Sequence, residues 1–123
     1  STSDSFQVKG LISALQVRDL EQAKRFYTEI VGLEPALQSP PDAVVFNTQP
    51  IPFAVRKPLV NLDEAGILGH GVSLWVGVKN VLALHEQLNH KRVPIVRALG
   101  DSPFGKTFTF RDPDGYLIVA HED

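Results

Sequence analysis

Two hydrophobic periods alternate along this chain, one of about two residues and one of about 3.6. Leu11 to Val17 (LISALQV) has the strand period, with Ile12, Ala14 and Gln16 on one face and Leu11, Ser13, Leu15 and Val17 on the other. The period then lengthens. Leu20, Ala23, Phe26, Tyr27 and Ile30 recur at helical spacing, behind an N-cap at Asp19 that Gln22 can close into a capping box, and before a C-cap at Gly32. A helix of about three turns is predicted. Leu33 to Gln38 reads as a short strand, and Ser39-Pro40-Pro41-Asp42 as a turn. Ala43 to Asn47 and Ile51 to Arg56 read as two more strands, the second an edge or bulged strand because of Pro50 and Pro52. From Lys57 to Gly71 no period holds, which predicts a connecting loop with room for one helical turn.

The second half repeats the first. Gly71 to Val78 is a predicted strand, Asn80 caps a helix bearing Val81, Leu84 and Leu88, and Val93 to Ala98 is a short strand. Gly100 to Pro103 should turn the chain into a strand from Phe104 to Arg111. Asp112-Pro113-Asp114-Gly115 is a tight-turn composition, and Tyr116 to His121 after it suits a strand buried on both faces. Val17 matches Val78 and Asp19 matches Asn80, each 61 residues on (78 − 17 and 80 − 19). The expectation is an α+β fold of two βαβββ modules, about 8–57 and 71–123, joined by a loop at about 58–70 within one domain, 1–123. A module of this kind cannot bury its own sheet face, so the copies should stack, or pair across a dimer.

Composition removes several classes of function. The 123 residues are 43% hydrophobic and 21% charged, ordinary for a globular chain, and only the polar start, Ser1 to Ser5, is expected to be loose. A formal charge of −2 without a Lys/Arg cluster offers no footprint for nucleic acid or an anionic membrane. Partners are therefore expected to be small molecules or further copies of the chain. With no cysteine there is no disulfide, zinc-thiolate site or thiol nucleophile. No apolar run reaches the roughly 20 residues a membrane helix needs, and STSDSFQVKG has no signal-peptide core, so a cytoplasmic protein is expected.

LQVRDLEQAKRFYTEIVGLEP in the first module, with GVSLWVGVKNVLALHEQLNHKRVPI and FGKTFTFRDPDGYLIVAHE in the second, resembles the vicinal oxygen chelate superfamily. That group includes glyoxalase I, extradiol dioxygenases, fosfomycin-resistance enzymes and bleomycin-resistance binding proteins. The resemblance covers the chain apart from its first ten residues and the loop from about Lys57 to Gly69. It implies a curved mixed sheet around a cavity, with helices on the outer face. It also implies a divalent metal held by His, Gln or Glu at four related strand positions, which fall here on Ile12, Ala54, Ser73 and Val119. None of these is a usual ligand, because Ile, Ala and Val offer neither a lone pair nor a charge. The expectation is thus no metal and no cofactor, as in the metal-free bleomycin-resistance-like branch.

A displaced site from the four histidines is weighed and set aside. His85 and His90 fall on or just after the second helix, beyond the sheet and facing solvent, and His70 has the wrong parity unless a bulge intervenes. Only His121 shares the parity of Val119. Ser73 with His121 as nucleophile and base lacks an orienting third group, and Ser73 reads equally as a small residue leaving room beside Trp75.

Alternation leaves a cavity lined by Ile12, Ala14 and Gln16, by Ala54 and Arg56, by Ser73, Trp75 and Gly77, and by Leu117, Val119 and His121. Its candidate ligand-binding residues are Gln16, Arg56, Ser73, Trp75, Phe104, Lys106 and His121. Trp75, the single tryptophan, can stack on a flat ligand or hold a cation, unless it is a plain core residue. Arg56 can take a carboxylate or phosphate, or pair with an acid at its strand end. Lys106 and Phe104 are placed at the rim, Phe104 equally in dimer packing. Asp112 and Asp114 are explained by their turn alone. The function expected is a metal-free binding protein, a homodimer sequestering an antibiotic or aromatic metabolite. The alternative is a metal-independent isomerase or lyase using His121 or Arg56; a metal-dependent glyoxalase or dioxygenase is a third reading. Whether the modules pair within a chain or swap between chains stays open.

Overall fold

A computed structural model describes residues 11–103 and 105–122 of the chain. Strand β1 (Ser13–Gln16) leads into helix α1 (Leu20–Arg25), whose N-cap Asp19 accepts the Gln22 N–H at 3.1 Å, where the sequence puts it. The predicted helix does not stay α-helical to its end. Phe26–Val31 form a π-helical turn, which Gly32 terminates at a φ of 94°. One residue more per turn brings the adjacent Phe26 and Tyr27 both into the core.

Strands β2 (Ala43–Phe46) and β3 (Phe53–Arg56) complete the first module. The strand expected over Leu33 to Gln38 is reduced to one bridge, Pro35 to Phe46, held by bonds from Ala36 N–H to the Val45 carbonyl and from Asn47 N–H to the Glu34 carbonyl. Pro35 has no N–H to extend the ladder. In the second module, β4 (Leu74–Val78) is followed by α2 (Val81–His90), whose first turn Asn80 caps through Ala83 N–H. Strand β5 (Ile95–Ser102) continues through Gly100 and Asp101, where a turn was expected. Two register irregularities against β6 (Gly105–Arg111) absorb the difference, and the reversal comes only after Ser102. Strand β7 (Leu117–Glu122) ends the described chain.

The sheets are ordered β1-β3-β2 and β4-β7-β6-β5, with β1 parallel to β3 and β4 parallel to β7. Ala14 is in register with Ala54, and Trp75, 61 residues after Ala14, is in register with Val119. Ala54 and Val119 are therefore equivalent positions in the two modules.

One face of each sheet packs under the helices into a common core. Val17, Phe46, Val55, Val81, Leu88, Phe108, Phe110 and Ala120 are fully buried there. Each large member contributes roughly 1.5–3 kcal/mol by leaving water. Phe26 of the first module meets Phe110 of the second at 6.4 Å. His85 is not simply solvent-facing on α2: it is half-buried, its ring edge-on to Phe108 at 4.9 Å.

The Asp112–Gly115 turn does more than reverse the chain. Asp112 is buried; its Oδ1 accepts the N–H groups of Asp114 and Tyr116, and its Oδ2 accepts the Tyr27 hydroxyl at 2.7 Å from the other module. Asp114 takes the backbone N–H and the guanidinium of Arg18. Tyr116 donates its hydroxyl to the Gln16 carbonyl at 2.7 Å. The turn composition alone accounts for neither aspartate, since both clamp the end of β1 and the π-helical turn onto the second sheet. Among the described residues no buried side-chain nitrogen or oxygen lacks a partner, and no helix is long and apolar enough to cross a membrane.

Candidate functional site

Each sheet turns its second face away from the core. On β4 the half-buried Leu74, Val76 and Val78 alternate with the exposed Trp75 and Gly77. On β7 the buried Ile118 and Ala120 alternate with Leu117, Val119 and His121. Strand β6 continues the face, because Thr107 is in register with His121 and Thr109 with Val119, while Phe108 and Phe110 point into the core. The first sheet offers Ala14 and Gln16 on β1 beside Ala54 and Arg56 on β3.

Trp75 and His121 are the two candidates brought into ring contact, with centroids 5.9 Å apart and planes tilted by 57°. Half of the Trp75 surface (51%) stays open to solvent. A plain core tryptophan would be covered. His121 Nδ1 lies 3.1 Å from the Glu122 carbonyl oxygen, which can only accept, so Nδ1 is assigned as the donor of that bond. The pair thus offers a half-open indole with a tilted imidazole beside it.

The other candidates are placed differently. Gln16 is in register with Arg56, but its Oε1 already accepts the Leu59 N–H at 2.8 Å and so anchors the connecting loop. Arg56 is half-buried and donates from Nε to the Lys57 carbonyl. Ser73 is exposed just ahead of β4. Lys106 pairs with Asp101 at 2.9 Å, and alternation sets it on the parity of Phe108 and Phe110, away from the Trp75 face. Phe104 lies outside the described residues. Sequence reasoning passed over Thr107, Thr109 and Arg97, the last in register with Thr109. The signal was the alternation of threonines with phenylalanines from Thr107 to Phe110, which gives the threonines the open face.

The four positions at which the family's metal would be held do not fit one. Ile12, Ala54 and Val119 carry hydrocarbon only, and Ser73 has a single hydroxyl. Among the described residues no group of three or more His, Asp or Glu side chains converges elsewhere.

Two cavities lie in the seam between β1 and β4, and Ser13 and Leu74 line both. One, of about 430 Å³, lies between β1, the start of β7 and the connecting loop, and is lined by Ala14, Gln16, Val60, Leu68, Val72 and Leu117 among others. The second, of about 570 Å³, opens at the other end of the seam, with Tyr27, Phe53, Trp75 and Val76 in its walls and Glu34 and Asn47 at its polar side. Both are in the size range of small-molecule sites. The loop over the first cavity is fastened by the buried Leu62 and by the Arg18–Asp63 ion pair at 2.8 Å.

Comparison with known proteins agrees with this geometry. A protein of unknown function from Agrobacterium tumefaciens str. C58 superposes with a TM-score of 0.76 at 26% identity, covering 96% of this chain and 97% of its own. TnmS3, an antibiotic binding protein from Streptomyces sp. CB03234, has the same fold, with a TM-score of 0.72 at 21% identity over 95% and 97% of the two chains. So does the bleomycin-binding protein of bleomycin-producing Streptomyces verticillus, with a TM-score of 0.66 at 21% identity over 95% and 98%. A search among curated proteins returns no match. The family model described as the glyoxalase/bleomycin resistance protein/dioxygenase superfamily matches residues 11–120, from before β1 to the penultimate pair of β7, and the chain belongs to that superfamily.

Proposed function

We propose that this protein is a metal-free binder of a small aromatic molecule, working as a homodimer whose second copy covers the open sheet faces. The observation that carries the reading is Trp75, half exposed and set against His121, on a face whose metal-equivalent positions are Ile12, Ala54, Ser73 and Val119. Binding needs a concave apolar wall and a few polar handles; Trp75, Val119 and Leu117 are the apolar surface, Thr107 and His121 the handles, and the second copy would close the open face into a cavity. The antibiotic- and bleomycin-binding proteins of the same fold support a ligand of antibiotic type. The dimer is supported by apolar surface that one copy leaves uncovered: Ile12, Val72, Trp75 and Leu117 are 58%, 61%, 51% and 39% exposed.

The test uses the single tryptophan as its own reporter. Metal-analysed protein is titrated with a panel of planar aromatic compounds while Trp75 fluorescence is followed, and its mass is measured by analytical ultracentrifugation. Saturable quenching at metal contents far below one per chain, in a particle of two chains, is the expected result. Quenching that requires added Ni²⁺ or Zn²⁺, or no response to any compound, overturns the reading. Turnover of a bound compound replaces it with a metal-independent isomerase or lyase.

A further inference from the structure

Strands β1 and β4 are the terminal strands of their sheets, and no backbone ladder joins them. The direction of the free edge of β1 follows from one bond. Val17 N–H donates to the Arg56 carbonyl at 2.9 Å, so odd-numbered residues of β1 turn their backbone groups toward β3, and the even-numbered Ala14 and Gln16 turn theirs away. The Gln16 carbonyl agrees with this, since it meets the Tyr116 hydroxyl on the far side from β3. That leaves the N–H and C=O of Ala14 and the N–H of Gln16 on the open edge, with no backbone partner among the described residues.

This edge lines a cavity. Ser13, Ala14, Leu15 and Gln16 all border the 430 Å³ space, and Leu74, Trp75, Val76 and Gly77 all border the 570 Å³ space. Consecutive residues of a strand point to opposite faces, so four in a row can meet one space only along the strand's edge. The two cavities share Ser13 and Leu74 and so adjoin, end to end, as a trough between β1 and β4. The first cavity is largely apolar beyond the backbone, with Val60, Leu68 and Val72 in its wall, while the second sets Phe53 and Val76 against Glu34 and Asn47.

Ala14 is exposed, so its N–H and C=O are open to a partner, and the group that offers an acceptor and a donor at strand spacing is another peptide backbone. We propose that the trough binds an extended, amide-bearing segment of a peptidic ligand, added beside β1 through the N–H and C=O of Ala14, with its apolar side chains in the two cavities. The proposal rests on the small-molecule-binding reading above and deepens it. Trp75 borders both the trough and the open face, so a single ligand can set a flat group against Trp75 and an amide arm along β1.

The test compares acetyl-Leu-Ala-Leu-amide with the same peptide N-methylated at every residue, which keeps the side chains and removes the donors. On ¹⁵N-labelled full-length protein, the parent peptide is expected to shift the Ala14 and Gln16 amides and slow their exchange with solvent. The methylated peptide is expected to bind roughly fivefold more weakly, as loss of the one hydrogen bond to the Ala14 carbonyl implies. Ala14→Pro removes the N–H that a peptide carbonyl would accept, at an edge position where proline is tolerated, and should weaken both peptides by a similar factor while leaving the difference between them. Should this variant not fold, the peptide pair decides alone. Equal binding of the two peptides, or an Ala14 amide already protected without peptide, overturns the proposal. Shifts confined to Thr107, Val119 and His121 also overturn it while leaving the aromatic-binding reading standing.

Discussion

The Tyr27 hydroxyl, at the start of the π-helical turn, donates to Asp112 Oδ2 at 2.7 Å, 85 residues away in the other module. Tyr27 is 2% exposed and Asp112 5%, so the bond lies in the core where the modules meet. Asp112 spends its other oxygen on two N–H groups of its own turn, and that turn starts β7. The strand that presents Val119 and His121 is thus positioned by a side chain from the first module.

Tyr27→Phe keeps the ring packing against Phe26, Phe46 and Phe53 and removes only the donor. The buried carboxylate then loses one of its three partners. Bonds to charged groups of this kind contribute about 1.5–3 kcal/mol, and urea unfolding should show a loss of that size with an unchanged m-value. A loss under 0.5 kcal/mol, on the order of a surface change, would show that the clamp contributes nothing.

The same tyrosine sets an alkaline limit. Burial, and then the neighbouring Asp112 charge, raise the Tyr27 pKa far above the ordinary tyrosine value. The unfolded chain loses this proton near pH 10 while the folded chain keeps it, so the folded state binds more protons and stability falls as pH rises above that point. The slope from one such group is about 1.4 kcal/mol per pH unit. Tyr116, raised mainly by burial, acts in the same direction. Stability measured from pH 9 to 11.5 should therefore fall more steeply in the native protein than in Tyr27→Phe. Parallel curves would sink the assignment.

Gly69 faces the ring of Tyr116. It sits at a φ of +75°, and a Cβ there would lie 2.8 Å from Tyr116 Cδ1. That ring cannot swing away, because its hydroxyl is tied to the Gln16 carbonyl. Gly69→Ala adds left-handed strain of about 1–2 kcal/mol to an overpacking cost of about 1–3 kcal/mol. Gly66, at +85° with open space around it, bears the strain alone. Thermal or urea unfolding should place Gly66→Ala about 1–2 kcal/mol below the native protein and Gly69→Ala clearly below both. Equal losses would show that the connecting loop is not seated on Tyr116 as described.

How far the sequence could be read follows from which interactions are local. The caps Asp19 and Asn80, the two helical stretches and the strand after Asp112-Pro113-Asp114-Gly115 are decided within a few residues, and the alternation of β1, β4 and β7 is read directly. The strand expected at Leu33 failed because Pro35 breaks its ladder. The turn expected at Gly100 failed because pairing with β6 outweighs a glycine's local preference. Tyr27 with Asp112 was illegible for another reason: both residues have an adequate local explanation, as helix core and as turn, and only the packing of the modules shows that they meet. Lys106 was misassigned to the cavity rim, where the parity of Phe108 and Phe110 already sets it on the other side. Parity puts Trp75 and His121 on one face, and the structure brings their ring centroids to 5.9 Å.

Restoring donors at the four equivalent positions tests whether those positions still converge. Ile12→His, Ala54→Glu, Ser73→His and Val119→Glu together return imidazole and carboxylate ligands where hydrocarbon and a hydroxyl now stand. Ala54 and Val119 share one register in their modules, although Ala54 is only 7% exposed, so an unpaired carboxylate there is costly until a cation neutralises it. The apo variant should therefore be less stable than the native protein, and Ni²⁺ or Zn²⁺ should return the stability by mass action, about 2.7 kcal/mol at a hundredfold excess over Kd. Calorimetric titration should give near-stoichiometric binding in the variant and none in the native protein. Stoichiometric uptake by the native chain would contradict the metal-free reading directly. A folded variant that takes no metal would show instead that the four positions no longer face one point, and the drift from chelation would then lie in the backbone as well as in the side chains.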